Sequence, residues 1–181
     1  MRITGGTLTG RKIAIPGGII RPSMDRMRES VFACLGDISG KSFLDIFTGS
    51  GIIALEAASR GAIDIEAVEL DKQKSKTLLE NVSISPVRIN CRFMPAELYV
   101  KRAKNAFDII FIDPPFPYPY KWELVANIVS SSLVKNETQI LIHRPKRESL
   151  ETDIQYLELA DNREYGNSVV DFFTVMGLPN S

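Results

Sequence analysis

The clearest chemistry in the sequence lies at Asp113-Pro114-Pro115-Phe116, which follows the apolar run 107–112. An acid at the end of a buried strand adds nothing to packing, and neither proline can extend sheet pairing. Proline fixes φ and removes an N–H donor while leaving its carbonyl free. The Asp113 carboxylate and the Pro114 carbonyl therefore make a wall that only accepts hydrogen bonds, and its natural guest is an amino group. Phe116 adds a flat apolar surface for a stacked base. An exocyclic base amine is a poor nucleophile because its lone pair is delocalised into the ring. Hydrogen bonds from its N–H groups to Asp113 and Pro114 favour a pyramidal nitrogen, and Asp113 can stabilise the developing positive charge and take the proton. A stiff turn without chemistry is the plainer alternative.

A second constellation lies upstream. In "FLDIFTGSGIIALEA", Asp45 stands at a strand end, followed by Gly49-Ser50-Gly51 and then a helix. Glycines let the backbone approach a ligand closely, and the helix start offers unpaired N–H groups. A tight turn alone would also use glycine. The third glycine of a dinucleotide fingerprint is replaced by Ala54, and "AVELD" ends the next strand with Glu69, placed to hold a ribose diol. Asp45 would repel a pyrophosphate but suits a cationic amino acid group. The pattern describes a nucleoside site and favours S-adenosylmethionine over NAD.

These residues need a scaffold, and the hydrophobic pattern supplies one. Residues 1–20, broken by Gly5-Gly6, Gly10 and Pro16-Gly17-Gly18, read as a short β-hairpin or arm. "RPSMDRMRESVFACLG" predicts a helix with Ser23 as N-cap and Met24, Met27, Val31 and Leu35 on one stripe, ended by Gly36. From residue 41 strands and helices alternate: 42–47, 50–62, 63–70, 71–84, 87–93, 95–104, 107–113, 120–134 and 138–145. A closing pair of strands joins near Gly166-Asn167. The expected fold is α/β, Rossmann-like, with a mostly parallel seven-stranded sheet, an antiparallel edge strand and helices on both faces. Residues 1–36 form an N-terminal extension and residues 37–181 the main domain.

Composition narrows the function classes. The 181 residues, 44% of them hydrophobic, can build a real core. No apolar run approaches the roughly 18 residues of a membrane span. Cys34 and Cys91 are too few for a disulfide framework or a zinc site, so a reduced, cytoplasmic protein without metal is expected. One histidine, with no paired Ser/His or Cys/His grouping, leaves nucleophilic and metal hydrolysis without their residues. The net charge of zero conceals a separation. Arg2, Arg11, Lys12, Arg21, Arg26 and Arg28 outweigh Asp25 and Glu29 in residues 1–36, whereas residues 41–71 are acidic. A polyanion at one place and a cationic ligand at another would suit that split, as would scattered surface charge.

Taken together, "RITGGTLTGRKI", "RPSMDRMRESVF", "LDIFTGSGIIALEAASRGA", "AVELD", "IIFIDPPF" and "YGNSVVDFF" occur in an order that resembles RsmD-type 16S rRNA (guanine-N2) methyltransferases. These are class I, S-adenosylmethionine-dependent amino-methyltransferases with a DPPF motif. The likeness spans nearly the whole chain, and the first two segments are more specific than the tetrapeptide. It implies that Asp45, Phe47, Gly49, Ser50 and Gly51 bind the methionine half of S-adenosylmethionine. Glu69 and Leu70 would meet its ribose end, with Asp113 at the methyl group and S-adenosylhomocysteine as product. Asp113, Pro114, Pro115 and Phe116 would hold the guanine, and Arg2, Arg11, Lys12, Arg21, Arg26 and Arg28 would meet RNA phosphates. The partner implied is 16S rRNA within the small ribosomal subunit or an assembly intermediate, bound by a monomer.

Three positions depart from that pattern. Thr48 replaces an alanine. Pro95 stands where an Asp or Asn would contact adenine, leaving Ala96 and Glu97 for that contact. "LIHRPKRE" is basic where an acid is expected: His143 reads as a structural residue, and Arg144, Lys146 and Arg147 as RNA contacts or a solvated loop. DNA adenine-N6 or cytosine-N4 methylation, or a non-catalytic RNA-binding assembly factor, are the competing functions. No insertion is large enough for a DNA-reading module, and a mere binder has no need of Asp45, Glu69 and Asp113 together.

Overall fold

A computed structural model describes residues 1–17, 25–151 and 153–179. Arg21, Ser23 and Met24 lie outside the described residues. The strands are β1 (Ser42–Ile46), β2 (Ile63–Glu69), β3 (Ile89–Phe93), β4 (Ile109–Ile112), β5 (Gln139–Pro145), β6 (Leu157–Tyr165) and β7 (Ser168–Val175). Among the described residues they form one sheet in the order β3-β2-β1-β4-β5-β7-β6. The first five are mutually parallel, and β7 runs antiparallel to both β5 and β6. The central strands are near-continuous apolar runs because both faces of a parallel sheet are covered. The helices are α1 (Asp25–Leu35), α2 (Ile52–Ser59), α3 (Ser75–Val82), α4 (Ala96–Arg102) and α5 (Lys121–Val129).

Side chains alternate across each strand and divide the core in two. Phe43, Ile65, Ala67, Ile109, Phe111 and Leu141 point to the face that also buries Met27, Val31, Phe32 and α2. Leu44, Ile46, Val68, Ile110, Ile112 and Ile142 point to the face covered by α4 and α5. Chain order reverses between β1, which continues to β2 and β3 on one side, and β4, which continues to β5 on the other. At such a reversal a crevice opens beyond the carboxyl ends of the strands.

The N-terminal arm is a minimal hairpin, as expected, whose tip docks on α2. A single antiparallel bridge joins Arg2 to Lys12, flanked by the Ile3 N–H to the Arg11 carbonyl and the Ile13 N–H to the Met1 carbonyl, each at 2.9 Å, while the donors of Thr4, Thr7 and Leu8 turn towards α2. The Thr4 N–H reaches Glu56 Oε1 at 2.7 Å, the Thr7 N–H the Ser59 carbonyl at 2.8 Å, and the Leu8 N–H the Ser59 hydroxyl at 2.8 Å. Gly6 is required by this docking, since a Cβ there would lie 1.9 Å from the Ser59 carbonyl oxygen. The helix expected over 120–134 is shorter, ending at Val129, where the Ser131 hydroxyl donates to the Ile128 carbonyl at 2.7 Å and competes with further helical bonding.

Candidate active site

The register of the sheet assembles the site. Asp45, Glu69 and Asp113 share the parity of Phe43, Ala67 and Phe111, so all three acids project from one face at the carboxyl ends of β1, β2 and β4. Together with Phe47, Gly49, Ser50, Lys74, Pro114, Pro115 and Phe116 they line a cavity of about 270 Å³ at the switch point.

Asp45 is only 1% exposed. Its Oδ2 accepts from the Thr48 hydroxyl and, at 3.2 Å, from the Ala54 N–H, while Oδ1 is buried without a partner among the described residues. Burial pushes its pKa up to about 7, and the neighbouring Asp113 and Glu69 carboxylates add to the rise. An acid in that condition is matched to an incoming cationic donor. Phe47, a non-glycine residue at φ 66°, and Gly49 and Gly51, at φ 56° and 82°, carry the loop from strand to helix. A phenylalanine held in the left-handed region stores on the order of 1–3 kcal/mol of strain, a cost met most often at ligand sites.

Glu69 ties that loop to its own strand. Its Oε2 accepts from the Gly49 N–H at 2.9 Å, and its Oε1 from the Asp71 N–H at 2.9 Å and from Lys74 Nζ at 3.3 Å. Beyond it a second cavity of about 270 Å³ is lined by Leu70, Met94, Pro95, Ala96, Glu97 and Tyr118, and shares Phe47, Glu69, Lys74 and Pro115 with the first. This apolar slot contains all the positions expected near adenine. The Glu97 carboxylate accepts from the Tyr118 hydroxyl, which closes one wall.

The basic front is rearranged. Arg11, Lys12 and Arg26 are exposed, and Arg2 pairs with Asp25 at 3.0 Å while remaining in solvent. Arg28, expected to face phosphates, is 0% exposed. Its guanidinium bonds Glu56 Oε1 at 3.2 Å, Asp25 Oδ1 at 2.7 Å and the Arg2 carbonyl at 2.7 Å, so it locks the arm to α2. The spacing of Arg28 one position past Met27 put it on the helix edge; only the position of Glu56 on α2 decides its burial. Arg144 is displaced from an RNA role for the same reason, being buried against Asp171 on the opposite face of the sheet. Lys146 pairs with Glu164, and Arg147 is exposed.

Four contributors were given no role in the site by the sequence. Lys74 lines both cavities, and Met1 lines the first. Asn81 on α3 donates to the Ser50 and Ala14 carbonyls, each at 2.9 Å, and couples the arm to the glycine loop. His143, expected to be structural, is buried beside Asp113. Only His143 left a readable signal: in parallel strands of equal offset, it falls opposite Asp113.

Known proteins place this site in context. Residues 1–174 match the family model described as "Conserved hypothetical protein 95". A relative from Escherichia coli strain K12, "Ribosomal RNA small subunit methyltransferase D", is 30% identical over 156 residues, covering 84% of this chain and 78% of that one. Its namesake from Buchnera aphidicola of Acyrthosiphon pisum is 31% identical over 159 residues, with 82% and 80% covered. The solved structure of yhhF from Escherichia coli superposes with a TM-score of 0.87 at 27% identity, over 97% of this chain and 98% of that one. Sequence and fold agree along nearly the whole length, and the chain belongs to the family of these proteins, the RsmD family.

Proposed function

We propose that the protein transfers a methyl group from S-adenosylmethionine to the exocyclic N2 amine of a guanine in small-subunit ribosomal RNA. The observation that carries this reading is that one cavity holds both a buried carboxylate oxygen without a partner, on Asp45, and an acceptor-only wall, at Asp113 and Pro114. Such a pairing fits a cation on one side and an NH₂ group on the other. The two relatives named for small-subunit RNA methylation direct the choice of nucleic acid.

When bound, S-adenosylmethionine supplies an electrophilic methyl group on a sulfonium. Asp45, the Gly49–Gly51 loop and Glu69 are the residues that would hold it, with Leu70, Ala96 and Glu97 around its base. The fit rests on the unpaired Asp45 oxygen and on Gly49, which lines the cavity without a side chain, whereas a Cβ at Gly51 would meet Leu78 and Val82 of α3 rather than the cleft. Asp113 and the Pro114 carbonyl orient the target amine, and Asp113 takes the proton that the amine loses. Phe116 offers a stacking face to a base that has left its helix. Arg11, Lys12 and Arg26 supply positive charge for the backbone.

The test is incubation with radiolabelled methyl donor and three substrates: 16S rRNA, small ribosomal subunits and genomic DNA. Label is expected in RNA, at N2 of guanine on nucleoside digestion, and more strongly on subunits than on naked RNA. Label confined to DNA overturns the reading.

A further inference from the structure

We propose that His143 is a positioning residue for Asp113, fixing the carboxylate so that a single oxygen faces the amine. The sheet register brings the two together. β4 and β5 pair in parallel with a constant offset, from Ile109 opposite Gln139 to Ile112 opposite Ile142. One step further, Asp113 and His143 stand side by side and share one face, and His143 Nδ1 lies 2.8 Å from Asp113 Oδ1. The next residue, Arg144, points to the other face and pairs with Asp171. Adjacent basic residues on β5 therefore have separate duties.

The surroundings of Asp113 leave it dependent on this contact. Prolines at 114 and 115 remove the backbone N–H groups that usually steady a carboxylate at a strand end. Among the described residues His143 is the only side chain that bonds Asp113. The imidazole is itself almost enclosed, with a side chain 8% exposed against 22% for Asp113, and it meets the Phe116 ring edge-on at 5.7 Å. Its Nε2 is buried with no partner among the described residues.

That orphaned nitrogen decides between roles. A buried polar group is normally satisfied, and an exception calls for a reason. A histidine kept for packing would be outdone by an apolar residue, which strands no nitrogen. The proton belongs on Nδ1, because a carboxylate can only accept. With the proton on Nε2, two acceptors would face each other at 2.8 Å and a buried N–H would go unpaired. In the Nδ1–H form the ring donates to Oδ1, and Oδ2 is left to take the amine's hydrogen bond and then its proton. The ring also meets Phe116 edge-on, so one residue touches both the acid and the stacking surface.

This role rests on the methyl-transfer reading, and the experiment separates the two. His143 is the only histidine in the chain, so a ¹⁵N-histidine NMR spectrum reports this ring alone, without cofactor or RNA. The Nδ1–H tautomer is expected, and Asp113→Asn should alter its Nδ1 signal. In methyl transfer to small subunits, His143→Phe keeps an aromatic ring but loses the donor. Its kcat should fall by roughly 10- to 100-fold, the scale of a misplaced catalytic group, with KM and cofactor Kd within about twofold of wild type. His143→Asn, which can donate from near the Nδ1 position, should recover most of the loss. An Nε2–H tautomer, a His143→Phe kcat equal to wild type, or an Asn variant as slow as the Phe variant overturns the role. Wild-type protein that labels no RNA overturns instead the reading beneath it.

Discussion

Two clusters of buried charge lie within one chain, and they are built on opposite plans. Beneath the N-terminal arm, Arg28 and Arg60 face Glu56 and Asp25, so cations and acids balance. Glu56 also takes the Thr4 N–H and hydroxyl, and among the described residues no buried side-chain acceptor there is left without a bond. At the strand ends, Asp45, Glu69 and Asp113 share a cavity with Lys74, so acid is in excess and one Asp45 oxygen is unbonded. Burying charge is costly unless it is compensated. The balanced cluster completes itself and holds structure together. The unbalanced one is complementary to a cation and to N–H groups that the chain does not contain.

Changes in each cluster should therefore fail differently. Asp113→Ala is expected to lower methyl transfer by roughly 10²- to 10⁴-fold, the range of a positioned acid–base group. Cofactor Kd, measured by calorimetry, should stay within about twofold. If Kd rises with the loss of turnover, Asp113 belongs to the cofactor half of the site. Glu56→Gln should act on stability instead. It leaves the fully buried Arg28 with Asp25 as its charged partner and a neutral amide in place of Glu56, a loss on the order of 1.5–3 kcal/mol for a hydrogen bond to a charged group. Urea unfolding reads that cost directly. A loss below about 1 kcal/mol would mean the arm is not held by this pair.

The contrast also marks how far the sequence could be read. The succession of strands and helices, the acidic strand ends and the glycine turn are local patterns, each carried by a few consecutive residues, and they are where they were expected. The closing strands around Gly166-Asn167 form the antiparallel edge as anticipated. What stayed hidden depends on pairings far apart in the chain. Arg28 and Arg26 look alike in "MDRMRES", and only Glu56, 28 residues later, separates their fates. His143 gains its meaning from Asp113 through strand register, which no window around position 143 contains. The arm pairs with itself as its alternation suggested, but what its tip docks on, a helix 52 residues away, was not readable in it.

The excess acid of the cleft should show in its pH response. The folded pKa of Asp45 is raised to about 7 from its ordinary 3.8 by burial first and by its acidic neighbours next. Between those values the folded state holds a proton that the unfolded state has lost. Stability of the cofactor-free protein therefore falls as pH rises through that window and levels off above about 7. Going from pH 8 to pH 6 should add about 1 kcal/mol to unfolding free energy. Cofactor affinity should move the other way. The cationic amino acid group favours ionised Asp45, so binding should weaken by about tenfold between pH 8 and pH 6. Asp45→Asn should flatten both curves. Parallel trends in the two measurements, or a slope that survives the substitution, would remove Asp45 as their source.

The smallest effect tests the surface against the buried cluster. Arg26 is exposed on α1, two residues before the buried Arg28. Arg26→Glu should leave unfolding within about 0.5 kcal/mol of wild type, as a surface change does. Its effect should fall on association with small subunits, weakened roughly 3- to 10-fold, with the slope of log K against log salt reduced by about 1. Arg28→Glu should do the reverse: a second acid would be forced against Glu56, and stability would fail before binding could be read. Equal binding by Arg26→Glu and wild type across a salt titration would take phosphate contact away from α1 and leave Arg11 and Lys12 on the arm to provide it. The pair thus asks whether a basic segment touches RNA at all or is basic because one of its arginines is needed inside.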